Sequence, residues 1–109
     1  MAEPQSFSIY FDKQSSELLP SAKGILIVIK PLMKPNTRTT IVGHADTSES
    51  NPDELSLARA NAIVAMLENL NMPAGAVLLP SGKGTSELRT PTAPNVPEPV
   101  NRYVSITIQ

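Results

Sequence analysis

The sequence predicts an α+β (α/β) two-layer sandwich, a small mixed sheet with helices on one face. Three observations carry that expectation. Short runs near both ends alternate apolar and polar residues, as in FSIYF and YVSITI, with the period of a half-buried strand. Two longer segments between them switch to helical spacing. Read in order the elements run β-α-β-α-β-β, a pattern that buries one face of a sheet under its own crossover helices. A chain of 109 residues is large enough for one core and too small for two. It is therefore expected to be a single domain over 1–109, with its core within 6–109.

Phe7, Ile9 and Phe11 alternate with Ser8 and Tyr10 and define the first strand. In SELLPSAKGILIVIKPLMK the apolar residues Ala22, Ile25, Leu26, Ile29, Leu32 and Met33 gather on one helical face. Pro20 suits the first turn, whereas Gly24 and Pro31 weaken the interior, so a kink or an early end is expected near Lys30. Pro35-Asn36 is a turn, and the β-branched run Thr39–Val42 is the second strand. The second helix opens at Asn51-Pro52-Asp53-Glu54. Asn51 is expected as N-cap, Pro52 as the first helical residue and Glu54 as the partner that completes a capping box. Asn71 and Pro73 follow its expected end near Asn69. Ala76–Pro80 reads as a third strand and Tyr103–Ile108 as a fourth. The proline-rich segment 85–100 between them reads as a peripheral loop.

Composition removes several classes of function. A net charge of -1, with neither a basic stripe nor an aromatic platform, argues against nucleic acid as a partner. With no cysteine there is no disulfide, thiolate nucleophile or zinc-thiolate site. The longest apolar run, ILIVI, is far too short to span a membrane, so no membrane insertion by this segment is expected. The first residues show no leader pattern, and any export signal is expected to lie outside this sequence.

The chemistry centres on Arg59. It falls on the apolar face that also carries Leu55, Ile63, Met66, Leu67 and Leu70, with no acid three or four residues away. The preceding strand ends at Val42, so GHADTSES carries His44 and Asp46 from the strand's carboxyl end to the start of Arg59's helix. Crevices at that position are favoured ligand sites in sheets with helical crossovers. Free N–H groups at the helix start would attract an anion, and Arg59 could reach the same place. Arg59 is there for Asp46, for a ligand carboxylate, or for both. An acid and a base converging on one crevice would suit a zwitterion.

GHAD, the helix start leading to L-S-x-x-R-A, the G-x-G and the closing N-R-Y-V together resemble the OmpA C-terminal domain family. Its relatives include peptidoglycan-associated lipoproteins and the periplasmic domains of flagellar stator proteins. The resemblance covers essentially the whole chain. It implies a non-enzymatic domain of the periplasm, without cofactor or metal, that binds peptidoglycan through the diaminopimelate of the stem peptide. Such a domain would anchor other domains of a parent envelope protein to the cell wall. By the same resemblance Asp46 and Arg59 would hold the zwitterionic end of diaminopimelate. Thr47 and Leu55 would wall the pocket, with Asn51 and Arg102 as further candidates. The chain departs from the motif at several places. Ala45 replaces a threonine, and Pro52 stands where the family has asparagine, with Asn51 displaced by one. The loop between Asp46 and Arg59 is shorter than usual. Asn101-Arg102 stands where many members have two arginines.

Other readings compete. Arg59 could snorkel or form a purely structural salt bridge with Asp46. His44 and Asp46 have the H-x-D spacing of some metal hydrolases, yet His44 is the sole histidine and no cysteine could join them. A packed, hydrogen-bonded His44 at a strand end is the simpler expectation. SGKGTS lacks the residue order of a phosphate loop and reads as a turn, and Ser56 has no histidine to activate it. The main alternative to wall binding is an assembly module that keeps the fold and has lost the ligand. Exposed sheet edges leave a homodimer open.

Overall fold

The computed structural model describes residues 3–109. Met1 and Ala2, part of the expected domain, lie outside the described residues. Four strands, β1 (Gln5–Tyr10), β2 (Arg38–Gly43), β3 (Val77–Gly82) and β4 (Tyr103–Ile108), form one sheet in the order β1-β4-β2-β3. The last strand runs antiparallel to both β1 and β2, while β2 and β3 are parallel. Helices α1 (Pro20–Ile29) and α2 (Pro52–Asn69) make the two crossovers. The core is therefore a layer between helices and sheet.

Alternation assigns the strand faces. Ile9 of β1, Ile41 of β2, and Val104 and Ile106 of β4 are buried, while Ser6, Tyr10 and Thr40 are exposed. Ile106 pairs with Phe7 on one side and Ile41 on the other, which places an apolar row across the middle of the sheet. Leu26, Ile29 and Met33 meet this row from the first helical segment, and Ala60, Ile63 and Leu67 from α2. Pro80 stands on the edge strand, where a missing N–H leaves no ladder bond unmade.

The early end of the first helix occurs as expected: α1 stops at Ile29 and Lys30–Leu32 continues as one 3-10 turn. Only part of its expected inner face is buried. Ala22, Leu26, Ile29 and Met33 are inside, whereas Ile25 and Leu32 are 38% and 36% exposed. The start of α2 departs from expectation. Pro52 is the first helical residue, but Asn51 has φ 49 and makes no side-chain bond to the first turn, so no capping box forms. A side-chain cap needs extended backbone, which aims the side chain at the free N–H groups.

Two glycines let α2 lie close to the sheet. Gly43 and Gly82 are register partners at the ends of β2 and β3. A Cβ on Gly43 would fall 1.8 Å from the carbonyl oxygen of Ser56, and one on Gly82 would fall 2.5 Å from the backbone nitrogen of Leu57. Ser56 then bridges the junction, donating to the Asp53 carbonyl and accepting from the N–H of Gly84. This contact, made near the start of α2, brings Arg59 to the carboxyl end of β2.

Candidate functional site

Past the end of β2, the chain turns at Asp46 and crosses to α2 through residues 47–51. Arg59 projects from α2 toward this turn and is fully buried. A buried guanidinium must satisfy five N–H donors, and here all five have acceptors. Nε donates to the Ser15 carbonyl at 2.8 Å, Nη1 to the His44 carbonyl at 2.9 Å and Nη2 to the Asp12 carbonyl at 3.1 Å. The two remaining donors form a fork onto the Glu49 carboxylate, at 2.8 Å to Oε1 and 2.5 Å to Oε2. The Phe11 ring centroid lies 5.4 Å from the guanidinium carbon.

Arg59 thus pairs with Glu49 and not with Asp46. The pairing fits the geometry. Glu49 stands on the crossing loop, where its carboxylate can approach the fork edge-on for a bidentate contact. It also accepts from the backbone N–H of Asp46 at 2.9 Å and of Gln14 at 2.7 Å. The backbone donors that meet a carboxylate here therefore come from the Asp46 turn and the loop after β1. The first turn of α2 supplies none of them.

Asp46 is also fully buried and has a different set of partners. One oxygen accepts from the N–H and hydroxyl of Ser48, at 2.8 and 2.7 Å. The other accepts from the N–H of Glu98 at 3.1 Å and from Nη1 of Arg102 at 2.9 Å. Burial pushes the carboxyl pKa up, but the Ser48 hydroxyl, the Glu98 N–H, Arg102 and the Ser48 N–H together hold it below its usual value. Arg102 keeps 13% side-chain exposure, in contrast to Asp46, Arg59 and Glu49. It also lines a cavity of about 340 Å³ with Tyr10, Phe11, Asp12, Leu19, Pro99 and Val100. The two ion pairs form one network, since the Asp46 N–H bonds Glu49 and the segment Phe11–Asp12 offers carbonyls to both arginines.

The side chains of the other candidates, Thr47, Leu55 and Asn51, make no hydrogen bond to either ion pair. Thr47 contacts the proline-rich loop, its hydroxyl bonding the Thr92 hydroxyl and the Ala93 carbonyl. Leu55 is half-buried, and Asn51 is exposed. The loop 85–100 adds no side chain to the apolar core, but it covers Asp46 through Glu98 and lays Arg89 4.0 Å over the Tyr103 ring.

His44 is packed as expected, stacked on Tyr103 at 4.1 Å between centroids. The expected hydrogen bond is missing: its buried Nδ1 has no partner. Burial is the main cause that lowers its pKa below 6.5; Arg89 and Lys83 act in the same direction and Glu87 opposes them. Among the described residues, no three His, Cys, Asp or Glu side chains converge as a metal-holding group.

Sequence reasoning missed Glu49 and Gln14. A signal for Glu49 was present. With no acid at helical spacing from Arg59, and Asp53 and Glu54 assigned to the first turn, Glu49 was the remaining acid near Asp46. Gln14 acts through its backbone N–H, which no residue type announces.

Two crossover helices on one face of a four-stranded mixed sheet, with buried charges at the strand ends, define a small α+β domain. The chain belongs to the OmpA family, whose sequence model matches residues 10–102. It is 29% identical over 114 residues to an outer membrane protein of Gluconacetobacter diazotrophicus, covering 95% of this chain and 30% of that protein. The chain thus spans under a third of that relative's length.

Its fold is similar to that of the peptidoglycan-associated lipoprotein from Burkholderia pseudomallei, with a TM-score of 0.74 and 18% identity over 94% of this chain and 89% of that one. The cell wall anchor of the T6SS from Pseudomonas aeruginosa gives 0.71 and 23%, over 96% and 80% of the two chains. The periplasmic domain of Helicobacter pylori MotB gives 0.74 and 12%, again over 96% and 80%. No helix among the described residues is long and apolar enough to cross a membrane.

Proposed function

We propose that this domain binds peptidoglycan non-covalently and anchors a larger envelope protein to the cell wall from the periplasmic side. The reading rests on the family, and on one observation in particular. Two arginines and two carboxylates form a single buried network at the carboxyl end of β2, and Arg102 opens that network to a cavity. A zwitterion presenting an ammonium and a carboxylate is the ligand class such a network can exchange partners with. In this reading the free end of diaminopimelate enters beside Arg102. Its ammonium takes the place of Arg102 against Asp46, and its carboxylate is received by Arg59. Neither Thr47 nor Leu55 lines that cavity, and Asn51 is exposed and in left-handed backbone.

A second reading has its own observation. All five donors of Arg59 are occupied by the chain itself. Ile27 and Val28 on α1 are exposed, at 56% and 73%. A domain that had lost the wall and joined an assembly through α1 would have both features. Co-sedimentation with insoluble diaminopimelate-type peptidoglycan separates the two readings. Wall binding predicts that the domain pellets with the wall and that Asp46→Asn abolishes this. The assembly module stays in the supernatant.

A further inference from the structure

The surroundings of Glu49 resemble a ligand site more closely than an ordinary ion pair. Four donors converge on its two oxygens: Arg59 Nη1 and the Asp46 N–H on Oε1, and Arg59 Nη2 and the Gln14 N–H on Oε2. The guanidinium and the Asp46 N–H are also held by contacts that do not involve Glu49. The guanidinium is held by the carbonyls of Asp12, Ser15 and His44. The Asp46 N–H belongs to a turn fixed by the Asp46 side chain's own four bonds. Glu49 itself stands on the short loop 47–51. That loop is tied to the rest of the fold by Thr47 on the proline-rich loop, by Ser48 and the Glu49 N–H on Asp46, and by two exposed bonds between Ser50 and the Gln14 side chain. The Glu49 side chain itself is held only by these four donors.

We propose that the Arg59 fork and the N–H groups of Gln14 and Asp46 form a carboxylate-binding site that the chain fills with its own Glu49, and that an external carboxylate enters by displacing it. The proposal rests on the wall-binding reading for the identity of that external group, though not for the existence of the site. Displacement exchanges one carboxylate for another against the same four donors, so no buried charge is left unpaired at the end. Glu49 then sets the threshold for binding. As a tethered competitor it has a high effective concentration, and an incoming ligand must offer further contacts, such as an ammonium for Asp46. A weak or partial ligand is refused.

Three forms of the domain test this: wild type, Glu49→Ala and Glu49→Gln. Thermal melting is followed in sodium acetate and in sodium chloride of equal ionic strength. Glu49→Ala has an open site and is expected to gain about 4 °C or more in acetate over chloride. Wild type and Glu49→Gln, both filled by their own side chain, are expected not to respond. If Glu49→Ala does not fold in chloride, its folding in acetate is the readout. No response to acetate, in melting or in folding, overturns the proposal.

Calorimetry with a diaminopimelate stem peptide then addresses displacement. Glu49→Ala is expected to bind about ten-fold more tightly than wild type. Equal affinity for the two overturns displacement while leaving wall binding intact. An acetate response with no peptide binding by either form keeps the carboxylate site and removes the wall-binding reading.

Discussion

Arg59 and Arg102 belong to one network and occupy opposite conditions. Arg59 is sealed, with three carbonyls and a carboxylate around it, while Arg102 holds Asp46 from the edge and remains 13% exposed. The inner pair is closed within the fold, and removing either partner without a replacement leaves a buried charge unpaired. In the proposed wall-binding reading, the outer pair exchanges its cation for one arriving from the cavity and the inner pair exchanges its carboxylate. Depth therefore separates a sealed pair from an edge pair within one polar cluster, and that difference can be tested residue by residue.

The largest effect is expected at the inner pair. Arg59→Ala would leave Glu49 buried without its cation and three carbonyls without their donor, costing roughly 3–5 kcal/mol. Urea unfolding monitored by circular dichroism measures it. A cost below about 1 kcal/mol would show that this pair contributes little to the fold.

Asp46→Asn comes next. It keeps the shape and removes the charge that organises four donors, with an expected loss of about 1–3 kcal/mol. Because the folded pKa is depressed, the ionised carboxylate stabilises the fold above its unfolded value of about 3.9, and that contribution is lost as pH falls through the carboxylate range. Acid unfolding curves should accordingly be shallower for the variant than for wild type. Arg102→Ala should cost less, about 1 kcal/mol, and should retain wall co-sedimentation where Asp46→Asn loses it. Identical behaviour of the two variants would show that Arg102 is as necessary to the wall contact as Asp46.

A separate, pH-dependent effect belongs to His44, outside both pairs. Its folded pKa lies below 6.5, so the unfolded chain binds a proton that the folded one does not. Stability should fall as pH drops below about 6.5, by at most about 1.4 kcal/mol per unit. His44→Phe, which keeps a ring against Tyr103, should flatten that slope in melting curves between pH 7 and 5.

The fold was legible because it is written in local patterns. Strand alternation in FSIYF and YVSITI, the helix start at Pro52 and the early stop near Lys30 each depend on neighbouring residues. The site was legible only in part. Arg59 stood out because a charge broke an apolar stripe, and Asp46 because it follows a strand end. Their partners come from elsewhere in the chain. Glu49 reaches Arg59 across ten residues, Arg102 reaches Asp46 across fifty-six, and Gln14 contributes only its backbone. Capping at Asn51 was expected from residue type alone, and the left-handed backbone there overrides it.

Titration of the wild-type domain with three stem peptides asks whether the network reads both charges of a zwitterion. One ends in diaminopimelate, one in diaminopimelate with its free carboxylate amidated, and one in lysine. A site with buried polar groups rejects an analogue lacking their partner far more strongly than an apolar pocket rejects a missing methylene. The diaminopimelate peptide is expected to bind, the amidated form to bind at least about ten-fold more weakly, and the lysine form to show no binding. Equal affinity for all three would contradict the account, because Arg59 would then have no part in reading the ligand.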